Sequence, residues 1–334
     1  MEIKMKKQVQ TPQGGMMKLD WRLVLVMVLS LGLMVSCEST EEDEDTAFEI
    51  LSKHMTKMSY DSDVVVAGFY VPAADVVGNE ANYFVVDIRS AEKFAEGHVT
   101  GAVNSAYGDI LTTVETYNTD DKPVLVACYS GQSAAHAVVA LRLSGYTDAK
   151  TLLFGMSSWA MAFDSWSGNT ASIAVDHANW SMAAAPALLT EQADPVIDTD
   201  LTDGAAILAE RVDAILAAFK GTPSATILET PANYQIINYW GATDYEHYGH
   251  IDGAYQVTPG SLTIADGGLE ILDPIQTIVT YCWTGQTSSM MTAWLTAMGY
   301  EATSLKFGAN SMIYSELEGH KWGGPLTADH PMEQ

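Results

Sequence analysis

From Tyr83 onward the chain alternates between short apolar runs and longer stretches of helical spacing. Tyr83-Phe84-Val85-Val86-Asp87 is a β-rich run ended by polar residues, and Pro123-Val124-Leu125-Val126-Ala127 is a second that stops at Cys128. From Ser133 the period changes: Ala134, Val138, Leu141 and Leu143 recur at roughly helical spacing until Gly145 ends the helix. Thr151-Leu152-Leu153 starts the next strand. The same signals return as Thr277-Ile278-Val279-Thr280-Tyr281, a helix from about Ser288 to Met298, and a strand from Ala302 to Leu305. Strand, loop, helix and strand in that order predict βαβ crossovers, and so an α/β chain whose halves are each a parallel sheet flanked by helices. In such sheets ligands sit at the carboxyl ends of the strands, where Cys128 and Cys282 fall.

Sliding the chain against itself shows that the halves are copies. Gly97-His98-Val99-Thr100-Gly101-Ala102 returns as Gly249-His250-Ile251-Asp252-Gly253-Ala254, and Cys128-Tyr129-Ser130-Gly131-Gln132-Ser133 as Cys282-Trp283-Thr284-Gly285-Gln286-Thr287. Ser144-Gly145-Tyr146 matches Met298-Gly299-Tyr300, and Phe154-Gly155 matches Phe307-Gly308. A period this long means two tandem domains rather than a solenoid, and 334 residues suffice for two cores. The expected boundaries are a leader at 1–36, an acidic tether at 37–46, domains at 47–180 and 201–334, and a linker at 181–200 broken by Pro186 and Pro195. Amphipathic helices at Phe48 to Met58 and Ala205 to Phe219 open the two copies.

Charge narrows the partners. The net charge is −26, and the first 36 residues hold five of the 16 basic and two of the 42 acidic side chains, leaving 11 against 40. A body this acidic repels phosphate backbones and anionic headgroups, which argues against nucleic acid or a lipid surface as its direct partner. The leader differs. Leu23 to Val35 is a run of 13 largely apolar residues behind Lys18 and Arg22, too short for a spanning helix of about 20 residues and suited to a signal-peptide core. It ends Met34-Val35-Ser36-Cys37, which resembles a bacterial lipobox. That resemblance implies diacylation of Cys37, a lipid anchor in the cell envelope and, with no aspartate after Cys37, sorting to the outer membrane by the habit of enteric bacteria. Glu38 to Asp45 would be the tether between anchor and body.

Acylation of Cys37 would leave Cys128 and Cys282 as the only thiols, too few for a disulfide framework, although one bridge between them stays open. No metal site is expected, because no Cys-x-x-Cys or His-x-x-x-His spacing occurs. A cysteine between a strand and a helix meets unpaired backbone N–H groups and the positive end of the helix dipole, which favour an anionic sulfur. Gly131 and Gly285 let the loop curl so that its amides point inward, and Ser133 and Thr287 are candidates to cap the helix or donate to a bound group.

These residues resemble the rhodanese (sulfurtransferase) family, in which a six-residue loop beginning with cysteine carries a persulfide between donor and acceptor. The resemblance spans about residues 80–165 and 234–322 and includes Asp87-Ile88-Arg89, the Gly-His-x-x-Gly-Ala segments and Gly155 to Trp159. It implies that Cys128 and Cys282 take sulfur from a small sulfane-sulfur donor and pass it to a thiol or cyanide-like acceptor, without a cofactor. The bound group would be cradled by Tyr129, Ser130, Gly131, Gln132 and Ser133, and by Trp283, Thr284, Gly285, Gln286 and Thr287. Asp87 and Arg89 are expected to pair and brace the cysteine loop, and His98 and His250 to be structural. Neither loop has the cation that thiosulfate-using members often carry. Copy two lacks Asp-x-Arg, the match falling on Asn238-Tyr239-Trp240 or one residue later, so the expectation leans slightly to Cys128. Ala134 and Ser288 stand where a phosphatase or arsenate-reductase loop needs arginine, which excludes that class. The alternative is a non-catalytic lipoprotein whose paired domains bind an envelope or electron-transfer complex.

Overall fold

The apolar runs become the central strands of two five-stranded parallel sheets. A computed structural model describes residues 44–334; the leader, Cys37 and the tether as far as Asp43 lie outside the described residues. The strands are β1 (Tyr70–Val71), β2 (Phe84–Asp87), β3 (His98–Val99), β4 (Val103–Asn104), β5 (Val124–Ala127), β6 (Lys150–Leu152) and β7 (Trp180–Ser181), then β8 (Gly221–Thr222), β9 (Gln235–Asn238), β10 (His250–Ile251), β11 (Tyr255–Gln256), β12 (Ile278–Tyr281), β13 (Ala302–Leu305) and β14 (Met332–Glu333). The first sheet runs β1-β6-β5-β2-β4 and the second β8-β13-β12-β9-β11, so adding seven to each label converts one into the other. Every pairing within them is parallel. All residues of β5 and β12 are buried, as central strands covered on both faces must be.

Four long helices organise the rest: α1 (Ala47–Met58), α2 (Gln132–Leu143), α3 (Gly204–Leu216) and α4 (Gln286–Ala297). A capping box fixes the start of α1, where Thr46 Oγ1 accepts from the Glu49 amide at 3.2 Å and Glu49 Oε2 accepts from the Thr46 amide at 2.7 Å. Helices α2 and α4 follow the two cysteine loops and pack along each other, as α1 and α3 do. That position buries every residue of α2 except Ser133 and every residue of α4 except Thr287. Each is therefore covered by its own sheet on one side and by its counterpart on the other. Residues 45–334 consequently form one compact unit.

The two copies also exchange tails. β7, at the end of copy one, pairs antiparallel with β10 of copy two, and β14, at the end of copy two, pairs antiparallel with β3 of copy one. The exchange is reinforced where Ala171 N donates to Asn310 O at 2.9 Å and Trp159 Nε1 donates to Pro331 O at 2.9 Å. The ends of both copies thus lie on the opposite copy, so contacts cross over before the sequence boundary near residue 180.

Register also settles how the copies align. Asp87 pairs with Ala127 and Asn238 with Tyr281, each partner being the residue before the cysteine. Asn238 therefore stands in the place of Asp87, and Trp240 in the place of Arg89.

Candidate active site

Each cysteine leaves the carboxyl end of a central strand and its chain turns at once into a helix. Gly131 and Gly285 are the helix N-caps, with φ of 84° and 78°, a conformation that costs glycine little. The helices therefore start at Gln132 and Gln286, one and about two residues earlier than the spacing predicts. Ser133 and Thr287 sit inside the first turn, and no side chain caps either helix. Their expected capping role is corrected by this geometry.

Both thiols are buried and free, 1% and 2% exposed, so the bridge left open by cysteine counting is absent. Cys128 Sγ accepts from the amides of Gly131 at 3.1 Å and Ala134 at 3.4 Å. Cys282 Sγ accepts from the Ser288 amide at 3.4 Å and lies 3.5 Å from the Ser288 hydroxyl, a group that Ala134 lacks. In each copy a turn closes on the cysteine carbonyl: Met156 N donates to Cys128 O at 2.8 Å and Ala309 N to Cys282 O at 3.0 Å.

The two glutamines expected to hold substrate are used differently. Gln132 Nε2 donates to Ser130 Oγ at 3.0 Å while its Oε1 accepts from Phe307 N, in copy two, at 2.7 Å. Gln286 mirrors this, donating to Thr284 Oγ1 at 3.2 Å and accepting from Phe154 N, in copy one, at 3.1 Å. They stiffen their own loops and tie each loop to the other copy.

Beyond these shared features the surroundings diverge. In copy one, Tyr129 O accepts from Ser157 Oγ at 2.8 Å and Ser165 Oγ at 3.1 Å, and Ser130 O accepts from the fully buried Trp166 indole at 3.1 Å. Trp166 is wedged edge-on between Phe154 and Phe307, with centroids 5.1 and 5.0 Å away. Its indole covers the loop after Cys128 at Ser130, which is buried, while Tyr129 stays exposed. In copy two, Cys282, Trp283, Thr284, Gln286 and Thr287 line a cavity of about 250 Å³. Copy one contributes Phe69, Tyr70, Leu153 and Phe154 to its wall, and the C-terminal segment contributes His320 and Lys321. Trp283 is stacked between Trp240 (4.2 Å) and His320 (5.0 Å). A larger groove of about 460 Å³ between α1, α2 and α3 is lined by side chains such as Leu111, Leu208 and Val212 and touches neither cysteine.

Asp87 and Arg89 form a buried ion pair, with Arg89 Nη2 2.7 Å from Asp87 Oδ2. The same Nη2 donates to Gly97 O at 2.6 Å, and the guanidinium lies 4.4 Å from the Phe163 ring centre. The pair therefore anchors the Gly97-His98 turn and Phe163, and the brace expected on the cysteine loop falls there instead, because the short Asp-x-Arg spacing turns the side chain back on its own strand end. In copy two, Asn238 donates to the Tyr281 hydroxyl at 2.7 Å and Trp240 packs flat on Trp283. The aromatic pair supports the loop directly. His98 Nδ1 is 2.9 Å from Phe94 O and its ring stacks on Phe94, while His250 stacks on Tyr245; both are framework contacts.

One tyrosine lies within electrostatic reach of each sulfur. Burial raises the pKa of Tyr107, with a further contribution from Cys128, and Tyr107 OH lies 2.6 Å from His136 Nδ1. Burial, helped by the charge of Lys220, lowers His136 to about 3. Tyr239, on the Cys282 side, is also raised, chiefly by burial.

Sequence reasoning missed Lys321, His320, Phe69, Tyr70 and Trp166. No local signal marks them: Trp166, His320 and Lys321 fold back from far along the chain on the loop of their own copy, and Phe69 and Tyr70 arrive by the contact between copies.

Two parallel-sheet units, each presenting a strand-end cysteine to helix amides, define a duplicated cysteine-loop α/β protein. The rhodanese-like domain model matches at residues 74–162 and 228–312, more than half of the sequence, and the chain belongs to that family. Relatives include thiosulfate sulfurtransferase GlpE of Pseudomonas fluorescens, 34% identical over 84 residues covering 25% of this chain and 76% of the relative. Thiosulfate sulfurtransferase 16 of Arabidopsis thaliana, a chloroplast protein, is 30% identical over 91 residues, 24% of this chain and 76% of the relative. Among solved structures, thiosulfate sulfurtransferase from Pseudomonas aeruginosa covers 84% of this chain and 50% of its own at 15% identity, with a TM-score of 0.29. A likeness that slight carries no argument. Sulfur transfer is the general chemistry that these relatives support.

Proposed function

We propose that this protein is an extracytoplasmic sulfurtransferase that works through a persulfide on Cys282. The observation that carries the reading is the open cavity over that thiol, at the strand end and helix start where the Ser288 amide meets the sulfur. With thiosulfate as donor, the Cys282 thiolate attacks the sulfane sulfur, the S–S bond of the donor breaks, and its electron pair leaves with sulfite. The product is Cys–S–S⁻. An acceptor thiolate then attacks the outer sulfur, becomes a persulfide itself and releases Cys282 as thiolate. Backbone amides stabilise the terminal sulfur anion without needing a loop cation.

Copy one supports the second reading, a binding or framework module, because Trp166 covers the loop after Cys128. In this reading Cys128 is slow or silent, a reversal of the preference drawn from Asp87 and Arg89.

The envelope location rests on the leader and on Cys37. A Cys37→Ala protein is expected in the soluble fraction of cells, and continued membrane attachment would count against the anchor. For the chemistry, mature protein exposed to thiosulfate, mercaptopyruvate, polysulfide or glutathione persulfide should gain about 32 Da, one sulfur atom, per persulfidated cysteine. Added thiol should remove it. No gain with any donor sinks the transferase reading and promotes the binding module.

A further inference from the structure

We propose that the sulfur acceptor is a protein, and that it docks on copy two through a basic segment bearing an apolar side chain. This rests on the reading of Cys282 as a sulfur carrier and adds the acceptor's class and its landing place. Where the tail of copy one crosses onto copy two, Val175, Trp180, Met182 and Tyr248 line a groove of about 360 Å³. Met182 and Val175 are 66% and 38% exposed, so apolar surface stands open to water here. Tail exchange sets the wall before any partner arrives. Trp180 pairs with Ile251 across β7 and β10, and its indole donates to Tyr248 O at 3.1 Å. A preformed wall lowers the ordering cost of binding.

The rim carries the charge. Asp176, Glu316 and Glu318 also line the groove, and no lysine or arginine does. Among the described residues no lysine or arginine lies within salt-bridge distance of these carboxylates, and only His247 approaches, 3.9 Å from Glu318. Copy one differs at the equivalent place. Gly97 matches Gly249, which sets Glu96 against Tyr248, and Glu96 is held by Lys93 at 2.6 Å. Copy two thus keeps an aromatic wall and unneutralised carboxylates where copy one has an internal ion pair. Such a surface complements lysine or arginine next to an aliphatic or aromatic side chain, and a chain of net charge −26 steers a basic segment toward it.

Position ties the groove to the thiol. Tyr248 packs edge-on against Trp283, with ring centres 5.4 Å apart, and Trp283 lines the Cys282 cavity. Glu318 on the groove and His320 on the cavity are two residues apart. A segment docked in the groove therefore brings its cysteine beside the Cys282 loop, and its own cations favour the thiolate of that cysteine. The thiolate attacks the outer sulfur of the Cys282 persulfide. A new S–S bond forms on the acceptor, the bond to Cys282 Sγ breaks, and its electron pair stays on Cys282 as thiolate. Charge and atoms balance with no further reactant.

The test uses two blocked peptides, Lys-Leu-Lys-Gly-Cys-Gly and Glu-Leu-Glu-Gly-Cys-Gly, compared at equal thiolate concentration, with mercaptoethanol as an uncharged small thiol. Transfer from the persulfide-loaded full protein is read as the peptide's gain of about 32 Da. Docking is read separately, by fluorescence anisotropy of the labelled Lys peptide on the Cys282→Ser protein. The Lys peptide should take sulfur about tenfold or more faster than the Glu peptide, and its rate relative to mercaptoethanol should fall about tenfold when Glu316→Gln and Glu318→Gln are combined. Glu316→Asp with Glu318→Asp should keep most of that rate, and Met182→Ser should weaken docking severalfold. These side chains are exposed, so their replacement spares the core. Equal rates for the two peptides, unmoved by residues 316 and 318, overturn the docking surface and leave the transferase intact. If no donor loads Cys282, the transferase reading falls; saturable binding of the Lys peptide that depends on Glu316 and Glu318 then still supports the surface, and its absence removes that too. Lysine amide binding as tightly as the peptide would assign the groove to a small cation, and a dimer broken by Met182→Ser would assign it to a second copy; either result overturns the proposal.

Discussion

Around Cys128 the loop carbonyls accept from Ser157, Ser165 and Trp166, and a buried Asp87–Arg89 pair stands on the neighbouring strand end. Around Cys282 the Trp283 carbonyl accepts from Asn310 at 2.8 Å, the ion pair is replaced by Asn238 and Trp240, and a cavity opens beside the sulfur. Backbone and strand order are the same in both. The difference teaches that a complete motif and a usable site are separate properties: the copy with more of the family pattern has its loop covered by an indole, and the copy with less has room for a substrate.

The largest expected effect tests the ion pair. Arg89→Ala leaves Asp87 buried without its partner, and unfolding free energy should fall by about 3–5 kcal/mol. Asn238→Ala in copy two removes one neutral hydrogen bond and should cost about 1 kcal/mol. Urea titrations that gave similar losses would mean that the two strand ends are held alike.

A pH effect comes next. His136 is buried in α2, where copy two has Met290, and its pKa is lowered from 6.5 to about 3 by burial and by Lys220. The unfolded chain takes up that proton first, so stability is complete above about pH 6.5 and falls as pH drops toward 3, by up to about 1.4 kcal/mol per pH unit. His136→Met should flatten this acid slope, read from urea midpoints at pH 7 and pH 4.5. An unchanged slope would assign acid sensitivity elsewhere.

The smallest effects should be symmetrical. Gln132→Ala and Gln286→Ala each strip an acceptor from a half-buried backbone amide of the opposite copy, at Phe307 and Phe154, for a loss of about 0.5–1 kcal/mol. Equal losses in thermal melts support reciprocal ties, whereas a loss confined to one variant breaks the symmetry.

Much of this fold is legible in the chain because central strands and glycine-punctuated loops are local signals. The apolar runs ending at Ala127 and Tyr281, and the repeated Gly-Gln after each cysteine, fix strand, loop and helix without any distant contact. The helix starts are misread because glycine at positive φ caps without a side chain, so Ser133 and Thr287 look like caps and are not. What decides the site is not local. Trp166 and Lys321 fold back on the loops of their own copies from far along the chain, and Phe69 and Phe154 reach Cys282 only because α2 and α4 press the copies together; no periodicity records such meetings. The replacement of Arg89 by Trp240 is visible in the sequence as a loss, and only its stacking on Trp283 reveals what it supplies.

The central claim, that sulfur passes through the open loop, is tested most directly by time courses of intact mass for Cys128→Ser and Cys282→Ser proteins with one sulfane donor. Cys128→Ser should keep the gain of about 32 Da at the rate of the unaltered protein, and Cys282→Ser should lose it or slow by at least about tenfold. Equal rates, or a faster gain through Cys128, would contradict the account.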